Sequence, residues 1–173
     1  MAEVLVGLLT RVDDPRIEIA LLAHLETDPD PRVKARIAHK FGLFQHTSGI
    51  EALFAALEDT DGEVRFQSIW ALGQMADELD RVQVKRLRED SRRLATDPHR
   101  GAKREATIRV EGFVDAWIQE ARKRSLRGQL AEAESLFAKA LAYSPSSKRA
   151  NYRMARFYFD NYSQDKGLQL LRQ

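Results

Sequence analysis

The 173-residue chain contains no cysteine, which excludes disulfide bonds, thiolate zinc sites and covalently attached haem. No apolar run approaches the roughly 20 residues that a membrane-spanning helix requires, so we expect no membrane partner. Alternating β-branched runs typical of strands are also missing, and the sequence therefore predicts an all-helical fold. Residues 1–10 carry no basic leader, so the expected compartment is the cytoplasm, or the periplasm if a signal segment was removed.

Signals for catalysis are scarce. The sequence has no glycine-rich phosphate loop and no nucleophile elbow. It therefore predicts no catalytic residue, no metal ligand and no cofactor, and we expect that the protein is not an enzyme. The histidines are scattered along the N-terminal two thirds of the chain, as His24, His39, His46 and His99.

Basic and acidic residues nearly balance, with 28 and 26 respectively, but their distribution is uneven. Residues 1–80 carry a net charge of −8, residues 81–127 carry +7 and residues 128–173 carry +3. Such asymmetry is typical of proteins whose partners or assembly depend on charge.

A pattern of large, small and turn-forming residues occupies one 34-residue stretch in the C-terminal third. Gly128 suits a tight turn between two helices, and Pro145 cannot continue a helix interior, so it marks the end of the pair. Between these positions, Ala133 and Ala140 allow two helices to approach closely. The full pattern comprises Trp117, Ala121, Gly128, Ala133, Phe137, Ala140 and Pro145.

This stretch resembles a tetratricopeptide repeat, a helix pair that stacks with its neighbours, and the resemblance implies that it binds other molecules. A second unit follows at the same period, with Met154 and Tyr158 among the positions expected for its first helix. It departs from the family at Tyr162, where a turn glycine is usual, and at Gly167, where alanine is usual. The resemblance implies two tetratricopeptide repeats over residues 113–173.

A different repeat occupies the N-terminal half, at an offset of 31 residues. Asp30 or Asp61 opens each copy and is a good helix N-cap, and Pro31 suits a first helical turn. Between the two copies, Ser48 and Glu51 predict a capping box. The residues Asp30, Pro31, Val33, Lys34, Phe41 and Gly42 recur as Asp61, Gly62, Val64, Arg65, Leu72 and Gly73.

This period resembles that of HEAT-like repeats, which are also stacked helix pairs. A weaker copy begins at Asp97, and for it we expect helices over residues 80–96 and 100–112. The resemblances imply HEAT-like repeats over residues 1–112 and tetratricopeptide repeats over residues 113–173. The predicted fold class is therefore an all-α, right-handed α-solenoid of antiparallel helix pairs.

The basic segment 81–127 has three open interpretations. Its cations can be the solvated face of amphipathic helices, a surface for an anionic partner such as an acidic peptide or the acidic end of another copy, or a contact with a nucleic-acid backbone. The last is disfavoured because acidic residues are interleaved and no base-reading motif occurs. The residues assigned to this basic surface are Arg86, Arg92, Arg93, Arg100, Lys103 and Arg104.

In tetratricopeptide repeats the first helix of each pair faces the ligand, so the resemblance implies a binding groove that includes Ile118. Arg149, Tyr152 and Arg156 share one helix face at i, i+3 and i+7, and two guanidiniums beside an aromatic ring suit an extended peptide with carboxylates. The lysine and asparagine set of chaperone-binding members is not reproduced. The expected partner contacts are Arg122, Arg149, Tyr152, Arg156 and Phe159.

Apolar residues near the C-terminal end, Leu168, Leu170 and Leu171, have no polar capping helix after them. We expect either that the chain is a fragment of a longer protein or that this end docks onto a partner or a second copy. A homo-oligomer held by this apolar end or by charge complementarity is one open outcome.

The predicted function is a non-enzymatic protein-interaction scaffold or adaptor. One alternative is a nucleic-acid-binding HEAT-like protein that uses residues 81–127. Another is a HEAT-fold enzyme resembling DNA glycosylases or bilin lyases. The glycosylase alternative is disfavoured because its candidate aromatic residue, Trp70, lies in an acidic part of the sequence.

Overall fold

The computed structural model describes residues 15–162, and every regular element in this range is helical, as predicted. Two short 3-10 turns, Thr47–Gly49 and Ala76–Glu78, accompany the α-helices. No helix of the described range is long and apolar enough to cross a membrane. The α-helices are α1 (Pro15–Thr27), α2 (Pro31–Phe44), α3 (Ile50–Ala56), α4 (Gly62–Gln74), α5 (Arg81–Leu94), α6 (Arg100–Leu126), α7 (Leu130–Tyr143) and α8 (Lys148–Asn161).

The chain divides into two compact units, with the boundary between Arg109 and Val110. The first unit contains α1 to α5 and the start of α6, and the second contains the remainder of α6 with α7 and α8. In the first unit α2 packs against α1 and α4, and α3 packs against the same two helices; in the second unit α7 packs against α8. The sequence-based domain boundary at residue 112 stays a prediction.

Aspartates cap α2 and α4 at their N-termini. The Asp30 carboxylate accepts a hydrogen bond from the Arg32 backbone N–H at 2.9 Å. The Asp61 carboxylate accepts from the backbone N–H groups of Glu63 and Val64 at 2.9 and 3.1 Å. Each bond satisfies a donor that has no partner inside the helix. The predicted caps at Asp30 and Asp61 are therefore confirmed.

The first unit buries an apolar face of each helix from α1 to α5, which stabilises it by about 1.5–3 kcal/mol for each large side chain. The contact between α2 and α4 requires glycine at position 42, because a Cβ on Gly42 would lie 2.5 Å from the Ala71 Cα. The largest fully buried side chains of this unit include Leu21, Leu25, Ile37, Phe41, Leu53, Phe54, Leu57, Ile69, Leu72, Met75 and Leu87.

A basic residue and an aspartate join consecutive repeats. Lys34 on α2 donates to Asp59, which precedes α4, at 3.0 Å. Arg65 occupies the equivalent position on α4 and donates through Nε and Nη2 to Asp97, which precedes α6, at 2.8 Å each. Both aspartates also accept a backbone N–H from two residues further along the chain. One carboxylate therefore shapes the start of the next helix and anchors it to the preceding repeat.

The predicted capping box of Ser48 and Glu51 is not formed. Residues Thr47–Gly49 form a 3-10 turn, so α3 begins after Gly49, which has no side chain to act as a cap. The Ser48 hydroxyl instead donates to the Glu18 carboxylate on α1 at 3.2 Å. The turn separates the serine from the helix N-terminus, and a tertiary contact replaces the local one.

Helix α6 continues through Gly112, where the sequence predicted its end. Glycine costs about 1 kcal/mol relative to alanine inside a helix, but it does not break the helix by itself. No proline lies between Gly112 and the observed end at Leu126. The prediction of a helix over residues 100–112 is therefore wrong at its C-terminal boundary.

The predicted turn at Gly128 is confirmed, with a φ of +76° in the left-handed region. The Gly128 N–H donates to the Ser125 carbonyl, and the Gln129 N–H donates to the Arg124 carbonyl, both at 3.0 Å. This pair of bonds is the Schellman motif, which satisfies the last carbonyls of a helix and reverses the chain.

The second unit has its own core between α6, α7 and α8. Phe137 on α7 is 2% exposed, and its ring centroid lies 5.2 Å from that of Phe157 on α8. The Tyr158 hydroxyl donates to the Glu134 carboxylate, and burial raises the pKa of Tyr158 to about 12, so this donor keeps its proton. The core residues are Val114, Ile118, Ala121, Ala133, Phe137, Ala140, Ala150, Met154, Phe157 and Tyr158.

Replacing two glycines by alanine should change stability in opposite directions. An added Cβ meets no described atom within 4 Å at Gly112 or at Gly128, so the difference depends on the backbone. Gly112→Ala should raise the free energy of unfolding by up to about 1 kcal/mol, because alanine favours a helix interior. Gly128→Ala should lower it by about 1 kcal/mol, because φ is positive there. Urea unfolding measures both, and a destabilised Gly112→Ala variant would contradict a continuous α6.

The Arg65–Asp97 ion pair should make stability depend on pH. Hydrogen bonds from Arg65 lower the pKa of the Asp97 carboxyl, and the two side chains are only 13% and 6% exposed. A lowered folded pKa gives a contribution that is complete above the unfolded value of about 3.9 and is lost as the pH falls through the folded value. Asp97→Asn should therefore cost about 2 kcal/mol near neutral pH, and progressively less in acid.

Thermal unfolding of the wild type and of the Asp97→Asn variant across the acid range measures this dependence. Asp77→Asn, which changes an exposed aspartate, is the control and should follow the wild type at each pH. If the cost of Asp97→Asn stays constant with pH, the backbone hydrogen bond to Asp97 rather than its charge supplies the stabilisation.

Candidate partner-binding groove

Four of the predicted partner contacts form one exposed stripe on α8, here called the α8 stripe. Arg149, Tyr152, Arg156 and Phe159 follow one another at i, i+3, i+7 and i+10, which places them on the same helix face. Tyr152 is 51% exposed and Phe159 is 50% exposed. Large aromatic side chains uncovered on one stripe are typical of a contact surface rather than of a solvated face.

Arg122, the remaining predicted contact, lies near the C-terminal end of α6 and meets Arg156 at a cavity of about 310 Å³. We call it the arginine cavity. Phe137 and Phe157 supply apolar wall, and three arginines supply charge. The cavity is lined by Arg122, Ser125, Leu126, Phe137, Arg153, Arg156, Phe157, Asp160 and Asn161.

Cations exceed anions around the arginine cavity. Arg122 and Arg153 form no ion pair with any residue that the structure describes. The Arg156 Nε lies 3.5 Å from the Asp160 carboxylate. A hydrogen bond with the Tyr152 hydroxyl, together with the Asp160 charge, raises the pKa of Arg156. The cavity therefore offers guanidinium donors to an anion beside a partly apolar wall.

Arg149 has a different environment from the cavity arginines. Its Nη1 donates to the Asp115 carboxylate at 2.6 Å, which ties the start of α8 to α6. Arg149, Tyr152 and Phe159 do not line the cavity. The predicted contacts are therefore divided between the arginine cavity and the remainder of the α8 stripe.

Ile118, which the family resemblance placed in the groove, is fully buried in the core of the second unit. Val114, Ile118 and Ala121 recur at i, i+4 and i+7, so one apolar stripe carries all three inward. This part of the groove prediction is wrong, because core packing takes the position that the resemblance gave to a ligand.

Sequence reasoning missed several cavity residues that share the spacing of the predicted ones. Arg153 and Asp160 lie three residues before and four residues after the predicted Arg156, and Ser125 follows the predicted Arg122 by three residues. The same helical periodicity would have identified them. The meeting of α6 and α8 at one cavity, by contrast, depends on tertiary packing.

Two residues assigned to the basic surface are engaged by acids of the first unit. Arg86 on α5 lies 3.2 Å from Glu51 and 4.5 Å from the centroid of the Phe54 ring. Arg93 lies 2.6 Å from Glu58. Glu51 on α3 and Glu58 just after it therefore offset part of the charge of α5, and these two arginines are not simply solvated.

The other residues assigned to the basic surface are exposed and have no ion pair with the described part of the chain. Several of them lie in the first turns of α6, where cations oppose the helix macrodipole. These residues are Arg92, Arg100, Lys103 and Arg104.

Neither of the two predicted routes to self-assembly is tested by the described residues. The apolar contact expected from Leu168, Leu170 and Leu171 lies outside the described residues. Charge complementarity between copies stays a prediction, although Arg86 and Arg93 have acidic partners within their own unit.

The histidines contact polar neighbours. Trp70, the candidate aromatic for a glycosylase-like site, stacks on His39 with ring centroids 4.7 Å apart. Within residues 15–162 no group of three side chains converges that could hold a metal ion. The histidine contacts are His24 with Asp28, His39 with Gln67, His46 with Glu18, and His99 with Glu63.

Comparison with known families identifies both repeat types. A family model of HEAT repeats matches residues 17–111, and a model of the tetratricopeptide repeat matches residues 126–173. The comparisons with curated proteins and with solved structures give no match. Both resemblances inferred from the sequence are thereby confirmed. The chain belongs to the HEAT-repeat family, and a tetratricopeptide repeat follows in its C-terminal part.

Proposed function

We propose that the protein is a non-enzymatic scaffold or adaptor whose second unit binds an extended, acidic segment of a protein partner. HEAT and tetratricopeptide repeats are commonly protein-interaction scaffolds. The observation that carries the proposal is the arginine cavity, where Arg122, Arg153 and Arg156 meet beside an apolar wall. The proposed compartment is the cytoplasm.

The chemistry of the cavity favours an anionic side chain. A guanidinium is planar and always charged, and it donates two parallel hydrogen bonds to a carboxylate. The aromatic rings of Phe137 and Phe157 exclude water from one side of the cavity, which strengthens the attraction between opposite charges. Arg122 and Arg153 have no acidic partner among the described residues, so they can bind an acidic peptide without first losing an ion pair.

Exposed apolar groups beside the cavity favour a peptide rather than a lone anion. Leu126 at the cavity edge is 87% exposed, and Tyr152 and Phe159 on the α8 stripe are each about half exposed. Covering such side chains supplies most of the binding energy in many interfaces, with aromatic residues and arginine as frequent anchors. An extended segment that places a carboxylate in the cavity can cover these groups with its neighbouring residues.

The alternative functions have weaker support. A nucleic-acid surface over residues 81–127 would include Arg86 and Arg93, which are already paired with acidic residues of the first unit. A glycosylase-like site would need Trp70, which is stacked on His39. A steep loss of oligonucleotide binding with added salt would favour the nucleic-acid alternative.

Removing charge from the cavity should weaken acidic-peptide binding. The double variant Arg122→Gln with Arg156→Gln replaces each guanidinium by a shorter, uncharged amide and adds no carboxylate near Asp160. Because a hydrogen bond to a charged group contributes about 1.5–3 kcal/mol, we expect at least about a tenfold rise in Kd. Fluorescence anisotropy with short randomised peptide pools that carry fixed glutamates measures the effect, and pools with glutamine in place of glutamate should bind weakly to every variant.

The matched control is Arg127→Gln with Lys148→Gln. These exposed residues belong to the same unit and lie outside the cavity lining, so the control loses the same net charge. Equal weakening by both double variants would show that overall charge, not the cavity, attracts the peptide. Binding that survives the Arg122 and Arg156 changes would refute the site.

A further inference from the structure

We infer that the arginine cavity prefers a phosphorylated side chain of the partner to a carboxylate. The inference rests on the proposed function and names the chemical class of the group that the cavity takes. Its basis is a mismatch of charge: Asp160 offsets Arg156, whereas Arg122 and Arg153 have no ion pair with the described part of the chain.

The charge of the two cavity arginines that have no ion pair matches the charge of a phosphoryl group better than that of a carboxylate. A glutamate or aspartate brings one negative charge, which leaves one of the two guanidiniums without an anionic partner. A phosphomonoester carries a charge of about −1.5 to −2 near neutral pH and three strong acceptor oxygens. Each guanidinium has several N–H donors in a fixed plane, so Arg122 and Arg153 can both be satisfied by one phosphoryl group.

The geometry of the cavity leads to the same ligand class. Arg122 projects from α6 and Arg153 from α8, so their donors come from two helices. A planar carboxylate suits one guanidinium fork, whereas the oxygens of a tetrahedral phosphoryl group point in several directions and accept from two. The hydroxyl of Ser125 adds a donor, and Phe137 lies where the carbon part of a side chain can pack.

Short randomised peptide pools that differ at one central residue test this preference. The central residue is phosphoserine, phosphotyrosine, glutamate or unmodified serine. We expect at least one phosphorylated pool to bind about tenfold more tightly than the glutamate pool, because a second charged hydrogen-bonding partner is engaged. The comparison of the two phosphorylated pools distinguishes an aliphatic from an aromatic phosphate carrier.

The pH dependence gives a second, independent readout. The ionisable groups facing the cavity are Arg122 from α6 and Arg153, Arg156 and Asp160 from α8, while α7 contributes the uncharged Phe137. Histidine, the side chain that ordinarily titrates near neutrality, does not occur in residues 110–173. Lowering the pH from about 7.5 to about 5.5 should therefore weaken only the phosphorylated pools, by about threefold, as their second pKa of about 6 is crossed.

Substitution of Arg153 should weaken binding of the phosphorylated pools more than binding of the glutamate pool. Arg153→Gln should weaken the phosphorylated pools about tenfold and the glutamate pool by less than about threefold. Arg153→Lys, which keeps the charge but not the planar fork, should restore part of the difference. Arg127→Gln is the matched control, and circular dichroism of each variant establishes that the helices are retained.

Three results would overturn the inference. Equal affinities for the phosphorylated and glutamate pools would remove the phosphate preference and leave the proposed function intact. No binding of any acidic or phosphorylated pool would refute both. A short oligothymidylate that binds more tightly than the phosphorylated pools, and depends on Arg122 and Arg153, would assign the cavity to a nucleic-acid backbone instead.

Discussion

A helix pair of this chain leaves apolar surface that its own two helices cannot cover, and the structure depends on how neighbouring pairs cover it. Helix α4 shows this constraint, because Val64 and Ile69 are both fully buried while α2 and α3 pack against the helix. Close approach at Gly42 makes the packing tight. Stacking also brings residues one repeat apart within reach, which is why Arg65 can bind Asp97.

The uneven charge of the sequence has a structural explanation in the first unit. Acidic residues on and just after α3 form ion pairs with basic residues of α5, as Glu58 does with Arg93. The stem of Arg86 also covers the ring of Phe54, so the side chain contributes packing as well as charge. Part of the charge contrast between residues 1–80 and 81–127 is therefore used in ion pairs within the first unit, so a segment's net charge alone is a poor guide to its partners.

The second unit places its candidate site directly on its core. Phe137 and Phe157 are core residues, and they also line the arginine cavity. Both rings pack against other core side chains, so the apolar wall of the cavity is part of the folded core. The charged groups that line the cavity are three arginines and Asp160, and no histidine occurs in residues 110–173.

The sequence by itself determined the all-helical class, both repeat families and the local features, such as the cap at Asp61 and the turn at Gly128. The cap and the turn each depend on residues that are close together in the sequence, so the local sequence is enough to predict them. Tertiary structure decided that Ile118 faces the core, that Ser48 binds α1, and that Arg122 meets Arg156 at a cavity. Whether a side chain is buried, paired or left for a ligand depends on residues distant in sequence, and helical periodicity identifies a face without identifying what covers it.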